Sequence, residues 1–314
     1  MHGIESDHFI RYPGACRLPA PWFAVGEVTA YSDTVPICSD PLRIAVGDLA
    51  RQRSGVILSG LLNDAKAAEL AAIPMTDNLF AIIPAGGVGS RALTAGRQMP
   101  KQYCMINGVT MLQLAVEALR ADARVSAVHI GVAAQDSWID TLNLGSRVHV
   151  HRTAGPTRAH TVSATLQAVL GSEQREQGIR GDGWALVHDA ARPGLQSASL
   201  TALVDACLEQ RRGGLLALPV PDTVKRAVVD EQQQICVAQT IPRDGLWLAQ
   251  TPQLFPAHDL LDALRTAIEK GLDITDEASA MEAAGFSPLL VRGSAENMKV
   301  TWPADFAMME RWLA

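Results

Sequence analysis

The sequence lacks any apolar run approaching the ~20 residues that a membrane-spanning helix needs. It lacks a basic excess: 27 Lys and Arg face 33 Asp and Glu, a net charge of −6, which argues against a general nucleic-acid binder while leaving room for a local basic pocket. Its five cysteines (Cys16, Cys38, Cys104, Cys207, Cys236) are odd in number and never form C-x-x-C. Free thiols in a reducing compartment, and so a cytoplasmic protein, are the expectation. The N-terminus has neither the basic start nor the compact apolar core of a secretory signal, and the early Glu5, Asp7, Glu27 and Asp33 argue against an organelle transit peptide. No Gly-Lys-Ser/Thr follows the glycines, which excludes a Walker phosphate loop.

What is present is a globular composition, 48% hydrophobic and 19% charged, with material for a large core. The first 74 residues have no sustained period and carry scattered prolines, so they read as an extension that is disordered or not translated, with a start at Met75. From Met75 to the C-terminus the pattern alternates. Strands are expected at Leu79–Ile83, Ala127–Val132, Arg147–His151, Ala185–His188, Leu215–Val220 and Leu289–Arg292. Helices are expected at Thr110–Arg120, Ala159–Leu170, Ser199–Glu209, Ala257–Lys270 and Glu277–Ala284. Continuous apolar strands separated by amphipathic helices predict an α/β fold: a mostly parallel twisted sheet with helices on both faces and its site at the carboxyl ends of the strands. Two extended runs, Thr223–Val229 and Gln234–Thr240, flank a polar turn at Asp230–Gln233, predicting a hairpin that stands off the sheet as an arm over about 221–245. Such an arm cannot bury both faces alone and needs a second subunit.

The apolar run Leu79–Ile83 breaks into Pro84-Ala85-Gly86-Gly87-Val88-Gly89-Ser90-Arg91, followed by Pro100-Lys101-Gln102-Tyr103. Glycines at a strand end let the backbone approach a ligand and leave amides free for an anion. With Arg91 and Lys101 beside them, these amides suit a triphosphate. The same glycines satisfy the loose G-x-G-x-x-A dinucleotide pattern, but no strand-end carboxylate follows at the required distance.

Val187-His188-Asp189-Ala190-Ala191-Arg192-Pro193 puts an aspartate at a strand end, where it can hold magnesium through oxygen or merely cap a turn. Arg192 adds a cation suited to phosphate. Gly155-Pro156-Thr157-Arg158-Ala159-His160-Thr161 sits at a strand-to-helix junction and reads either as a nucleotide contact or as a plain helix start. Asn297–Thr301 reads as a short late strand with Lys299 and Thr301 on one face. Thr275-Asp276-Glu277 reads as a capped helix start. His149 and His151 share a strand face but have no third ligand for a metal.

Taken together, PAGGVGSR, PKQY, VHDAARP, DTVKR, LWLAQTPQLF, ITDEASA and NMKVT stand in an order that closely resembles the 2-C-methyl-D-erythritol 4-phosphate cytidylyltransferase family, from about Leu79 to the C-terminus. The resemblance implies a Rossmann-like nucleotidyltransferase over 75–314. Its reaction would be CTP with 2-C-methyl-D-erythritol 4-phosphate, giving a cytidine diphospho product and pyrophosphate in non-mevalonate isoprenoid synthesis. It further implies Mg2+ as cofactor and a homodimer built through the β-arm. By that likeness Ala85, Gly86, Gly87, Gly89, Arg91 and Lys101 would cradle the triphosphate, and Gly155, Arg158 and Thr161 would hold the cytidine end. Asp189 would bind the metal, while Arg192, Thr275, Lys299 and Thr301 would line the sugar-phosphate site. Thr223 and Arg243 would reach the partner subunit's substrate. Arg91, Lys101 and Lys299 are the expected charge-stabilising residues.

The chain departs from the family where Pro156 replaces a common acidic residue and Thr161 a serine; Pro156 also removes a backbone donor. The nearest rival is a ribitol-5-phosphate cytidylyltransferase, which would differ only in its sugar contacts. A non-catalytic nucleotide-binding regulator on the same scaffold would be expected to lack Arg91, Lys101, Asp189 or Lys299, and all four are present.

Overall fold

Strand β1, Leu79–Pro84, is buried along its whole length except for the final proline, which is half-buried. This computed structural model describes residues 78–87, 99–176 and 183–314, with backbone alone at 172–176. The readings made for residues 1–74 and Met75, and those for Gly89 and Arg91, lie outside the described residues. Because side chains alternate across a strand, β1 feeds two cores: Leu79, Ala81 and Ile83 join one cluster, Phe80 and Ile82 the other. This two-sided burial is why the run is continuously apolar.

A short antiparallel ladder, β2 (Met105–Ile106) with β3 (Val109–Thr110), leads into α1, Met111–Arg120. Thr110 and Gln113 form a reciprocal capping box at its start. The main sheet then takes β4 (Val125–Gly131) and β5 (Val148–His151) on one side of β1. On the other side come β6 (Trp184–Val187), β10 (Trp247–Pro256), β7 (Gly214–Pro219) and β11 (Leu289–Arg292). Its seven strands run in the order β11-β7-β10-β6-β1-β4-β5. The first cluster lies under α1 and α3 (Ser197–Gln210), the second under α2 (Arg158–Glu176), α4 (Ala257–Glu269) and α5 (Glu277–Ala283). The helices therefore cover both faces, as the alternating pattern requires.

Within the seven described strands of this sheet, only β10 runs antiparallel to its neighbours, β6 and β7. The sequence reading quoted this stretch as a motif but not as a strand. Pro252 hid it, because proline cannot donate to a ladder. The structure accommodates Pro252 in a register shift between Ala249 and Gln253.

The arm forms as expected, from β8 (Val224–Val229) and β9 (Ile235–Ile241) in a sheet of its own. Its turn is closed by Asp230, whose Oδ1 accepts from the N–H groups of Gln232 (2.9 Å) and Gln234 (2.8 Å). The arm is exposed apolar surface, with Ile235 81% and Val237 63% accessible.

One expectation is corrected. Asn297–Thr301 pairs in no strand ladder, and Asn297 lies in a turn closed by its N–H on the Ser294 carbonyl. Side chains hold it instead: buried Asn297 donates to Gln250 Oε1 (3.2 Å) and the Thr251 carbonyl (2.7 Å), and Val300 N–H donates to the Ala191 carbonyl (2.8 Å). The last helix, α6 (Pro303–Trp312), packs through Met309 with Ile106, Met111 and Val300.

Candidate active site

The glycine loop leaves the sheet at Ala85, whose N–H donates to the Gly131 carbonyl at 2.8 Å. A Cβ on Gly86 would stand 2.3 Å from the Ala154 Cβ, so only glycine permits this approach of the two loops. A Cβ on Gly87 would meet nothing within 4 Å, which leaves its backbone open to a ligand.

A single 3-10 turn, Lys101–Tyr103, fastens three parts of the site together. Lys101 Nζ donates to the Val300 carbonyl (2.5 Å), buried Gln102 Nε2 to the Ala85 carbonyl (2.8 Å), and Tyr103 Oη to Asp136 Oδ2 (2.6 Å). Burial, reinforced by that aspartate, pushes the Tyr103 phenol far above its ordinary pKa, so it stays a donor.

Arg158, at the first turn of α2, is wholly committed to carboxylates. Its Nε donates to Asp189 Oδ1 (2.8 Å), Nη1 to Glu277 Oε1 (2.6 Å) and Nη2 to Glu277 Oε2 (3.0 Å). Asp189, just past β6, meets two further cations on Oδ2: Lys299 Nζ at 2.8 Å and Arg192 Nε at 3.7 Å. Burial opposes ionisation of Asp189, yet Arg158, Lys299 and Arg192 outweigh it and hold the carboxyl far below the usual range. Glu277 goes the other way: burial lifts its pKa, and Arg158 offsets only part of the lift. Behind Asp189 lies fully buried His188, whose imidazole burial pushes down to about 4, keeping it neutral at pH 7.

A pocket of about 300 Å³ opens among these groups at the carboxyl ends of β1 and β6. It collects Ala85, Gly86, Gly87, Lys101, Gly155, Arg158, Thr161, Asp189 and Lys299, nine residues singled out from the sequence. Pro156 lines it too, so the family's acidic position is a proline at the wall. Thr161 shapes the loop, accepting from Gly155 N–H (3.1 Å) and donating to the Thr157 carbonyl (3.2 Å). Arg192 stands beside the pocket, with Nη1 donating to the Asn297 carbonyl at 2.7 Å. Thr301 lies two residues past Lys299, to whose carbonyl its hydroxyl donates (3.0 Å).

Arg192 and Thr301 thus lie next to this wall, and three predicted residues stand farther from it. Thr275 is exposed ahead of α5, and Thr223 and Arg243 are exposed at the base of the arm, where Arg243 Nη1 donates to the Pro221 carbonyl.

Other residues matter here that the sequence reading did not assign to the site. Glu277 was read with Asp276 as a helix start. Asp276 is indeed the cap, accepting from Ser279 N–H (2.9 Å), but Glu277 turns inward to Arg158. Gln253 fixes that start by donating to Asp276 Oδ2 (2.9 Å) and accepting from Ala278 N–H (2.8 Å). Gln102 stands in the quoted motif beside Lys101, the one residue of it that the sequence assigns to the site. Each is a polar residue inside a quoted motif whose role needs a partner outside that motif, from 17 to 119 positions away.

Among the described residues, no group of three or more His, Cys, Asp and Glu could by itself hold a metal. His129 does join the histidines of β5, its Nδ1 3.0 Å from His151 Nε2 and its ring stacked on His149.

The family model for 2-C-methyl-D-erythritol 4-phosphate cytidylyltransferase (IspD) matches residues 79–314. The protein of that name from Bordetella pertussis is 51% identical over 241 residues, covering 76% of this chain and all of the relative. The Chromobacterium violaceum protein of the same name is 44% identical over 237 residues, covering 75% of this chain and 98% of its own. Among solved structures, a 4-diphosphocytidyl-2C-methyl-D-erythritol synthase superposes with a TM-score of 0.63 at 34% identity, covering 76% of this chain and 99% of that one. The Francisella tularensis cytidylyltransferase superposes with a TM-score of 0.61 at 29% identity, covering 75% and 99%.

Proposed function

The chain belongs to the 2-C-methyl-D-erythritol 4-phosphate cytidylyltransferase family, transferring a cytidylyl group from CTP to 2-C-methyl-D-erythritol 4-phosphate in the non-mevalonate pathway, and we propose that the pocket around Asp189 is where it does so. The observation that carries this reading is the convergence of a bare glycine loop with Lys101, Arg158 and Lys299 around one carboxylate at the ends of β1 and β6.

The nucleophile is an oxygen of the sugar's phosphate. It forms a bond to the α-phosphorus as the bond from that phosphorus to the bridging oxygen breaks, and pyrophosphate leaves with the electron pair. The nucleophile is already anionic, so no general base is needed. The barrier is electrostatic: two anions must approach, and charge must be held on five-coordinate phosphorus. Lys101, pinned at the loop, and Lys299, on Asp189, supply fixed positive charge within reach of both reactants, and Arg91 adds to them by the family likeness. Arg192 and Thr301 face the sugar-phosphate side, with Thr275 beyond the wall.

Among the described residues Asp189 is the one carboxylate on the pocket wall. A single carboxylate suits Mg2+, which takes few protein ligands and shares its shell with phosphate oxygens and water. Mg2+ there would neutralise phosphate charge when bound. Arg158, anchored by Glu277, holds Asp189 by Oδ1 at the pocket wall.

The exposed apolar face of the arm supports a homodimer, in which Thr223 and Arg243 at the arm's base would reach the partner's substrate. Among the described residues no helix is long and apolar enough to cross a membrane. The buried thiol of Cys207, in no disulfide, supports a cytoplasmic place of work.

The test is pyrophosphate release with CTP and Mg2+, comparing 2-C-methyl-D-erythritol 4-phosphate with ribitol 5-phosphate. Release with the first alone is expected. Release only with ribitol 5-phosphate would keep the chemistry and overturn the acceptor.

A further inference from the structure

The turn that carries Asp189 and Arg192 is spanned by a buried side chain that the reaction scheme leaves unused. His188 is wholly inaccessible; its own N–H donates to the Ile82 carbonyl at 2.9 Å, continuing the sheet. Its ring has two polar neighbours: Nε2 lies 3.0 Å from the Arg192 carbonyl and Nδ1 lies 3.0 Å from Thr251 Oγ1. The same Thr251 oxygen accepts from Asp189 N–H at 3.0 Å. Both ends of the turn therefore meet on one imidazole.

The directions of these bonds follow from counting hydrogens. A carbonyl only accepts, so Nε2 must carry a proton or two lone pairs would face each other. Thr251 has one hydroxyl hydrogen. With Asp189 N–H already directed at its oxygen, that hydrogen finds its acceptor in an unprotonated Nδ1. A doubly protonated ring would leave the threonine hydrogen without that partner in a buried place, at a penalty. One neutral tautomer satisfies every group.

We propose that His188 is a positioning residue for cytidylyl transfer: through its Nε2-protonated tautomer it holds Arg192 and, by way of Thr251, Asp189 in mutual register. The proposal rests on the reading of the pocket given above. It assigns His188 no proton transfer. The relay Asp189 N–H to Thr251, Thr251 O–H to His188, His188 N–H to Arg192 sets the separation of the carboxylate from the arginine that serves the sugar phosphate.

The test has two parts. In protein labelled with 15N-histidine, long-range 1H–15N NMR at neutral pH, with the His188 signals assigned in the wild type by nuclear Overhauser contacts from its ring to Thr251, is expected to show Nε2 protonated and Nδ1 bare. A doubly protonated or Nδ1-protonated ring overturns the proposal, and this measurement on the wild type decides even if a variant does not fold. The kinetic part compares His188→Asn, whose amide oxygen can still accept from Thr251, with His188→Gln, whose amide N–H can still reach the Arg192 carbonyl. Each variant is expected to melt a few degrees below wild type, because one buried partner is left unsatisfied, and to lose roughly ten- to hundredfold in kcat/KM. In His188→Asn the loss is expected to fall largely on KM for 2-C-methyl-D-erythritol 4-phosphate, because the Arg192 end is freed; in His188→Gln it is expected to fall on kcat. Activity within twofold of wild type in both, or a lowered melting temperature with unchanged kcat and KM, overturns the positioning role. Wild-type protein inactive toward CTP and 2-C-methyl-D-erythritol 4-phosphate would instead overturn the functional reading and leave the tautomer result standing.

Discussion

Replacing Glu277 with alanine tests whether the charge cluster is held from behind. Glu277 is 1% exposed and grips Arg158 with both oxygens, at 2.6 and 3.0 Å. Deleting one member of a buried pair costs about 3–5 kcal/mol, because the survivor stays desolvated. Here Arg158 keeps Asp189 at 2.8 Å and its side chain is 25% exposed, so the low end, about 3 kcal/mol, is expected. In a domain of this size that corresponds to a melting temperature lowered by about 6–12 °C. Glu277→Gln keeps an accepting oxygen and should fall between wild type and Glu277→Ala.

The pair's two members should also be strongly non-additive. Burial raises the Glu277 pKa despite Arg158, so the attraction between the two groups does not fully offset desolvation of the acid. The double variant Arg158→Met/Glu277→Met removes both buried charges and should melt above Glu277→Ala, although it should be inactive. Calorimetry or circular dichroism at neutral pH measures the order, and pyrophosphate release measures activity. A Glu277→Ala melting point within about 2 °C of wild type, or a double variant equal to the sum of its singles, would refute the reasoning.

Lys101→Ala should lower turnover by roughly 10²–10³ with the fold intact, as expected for loss of a fixed charge at the developing phosphorane; a near-wild-type rate in a pyrophosphate assay would remove Lys101 from the chemistry. Gly86→Ala should be nearly inactive because its methyl would lie 2.3 Å from the Ala154 Cβ, and Ala154→Gly should restore part of the activity. No rescue in the double variant would show that the close approach is not the reason for glycine. His129, buried beside His149 and His151, has its pKa lowered to about 3, chiefly by burial and then by those two histidines. A base with a depressed folded pKa contributes stability fully above its unfolded value near 6.5, and that stability is lost as pH falls toward 3, at about 1.4 kcal/mol per pH unit. Denaturant midpoints should therefore fall in that window for wild type and less steeply for His129→Leu. Parallel slopes would mean that His129 is not held neutral.

The division between what was readable in the chain and what was not follows the range of the forces involved. Local pattern determined most elements: the apolar run of β1, the alternation of strands with helices, and the polar turn at Asp230–Gln233 between the arm strands all act within a few residues. The short-range motifs likewise marked Ala85, Lys101, Arg158, Asp189 and Lys299, because a glycine loop or a strand-end aspartate carries its chemical meaning locally. Tertiary structure alone decided β10, since Pro252 masks the strand and only its two neighbours supply a ladder around the irregularity. It also decided that Asn297–Thr301 would be fastened by side chains and not by strand pairing. Above all it decided how the charges are held. Arg158 meets Glu277 across 119 positions, and Lys299 meets Asp189 across 110. No periodicity encodes such pairings, because they arise only when separate strand ends and a helix start converge on one desolvated place, where an unpaired charge is too costly to leave.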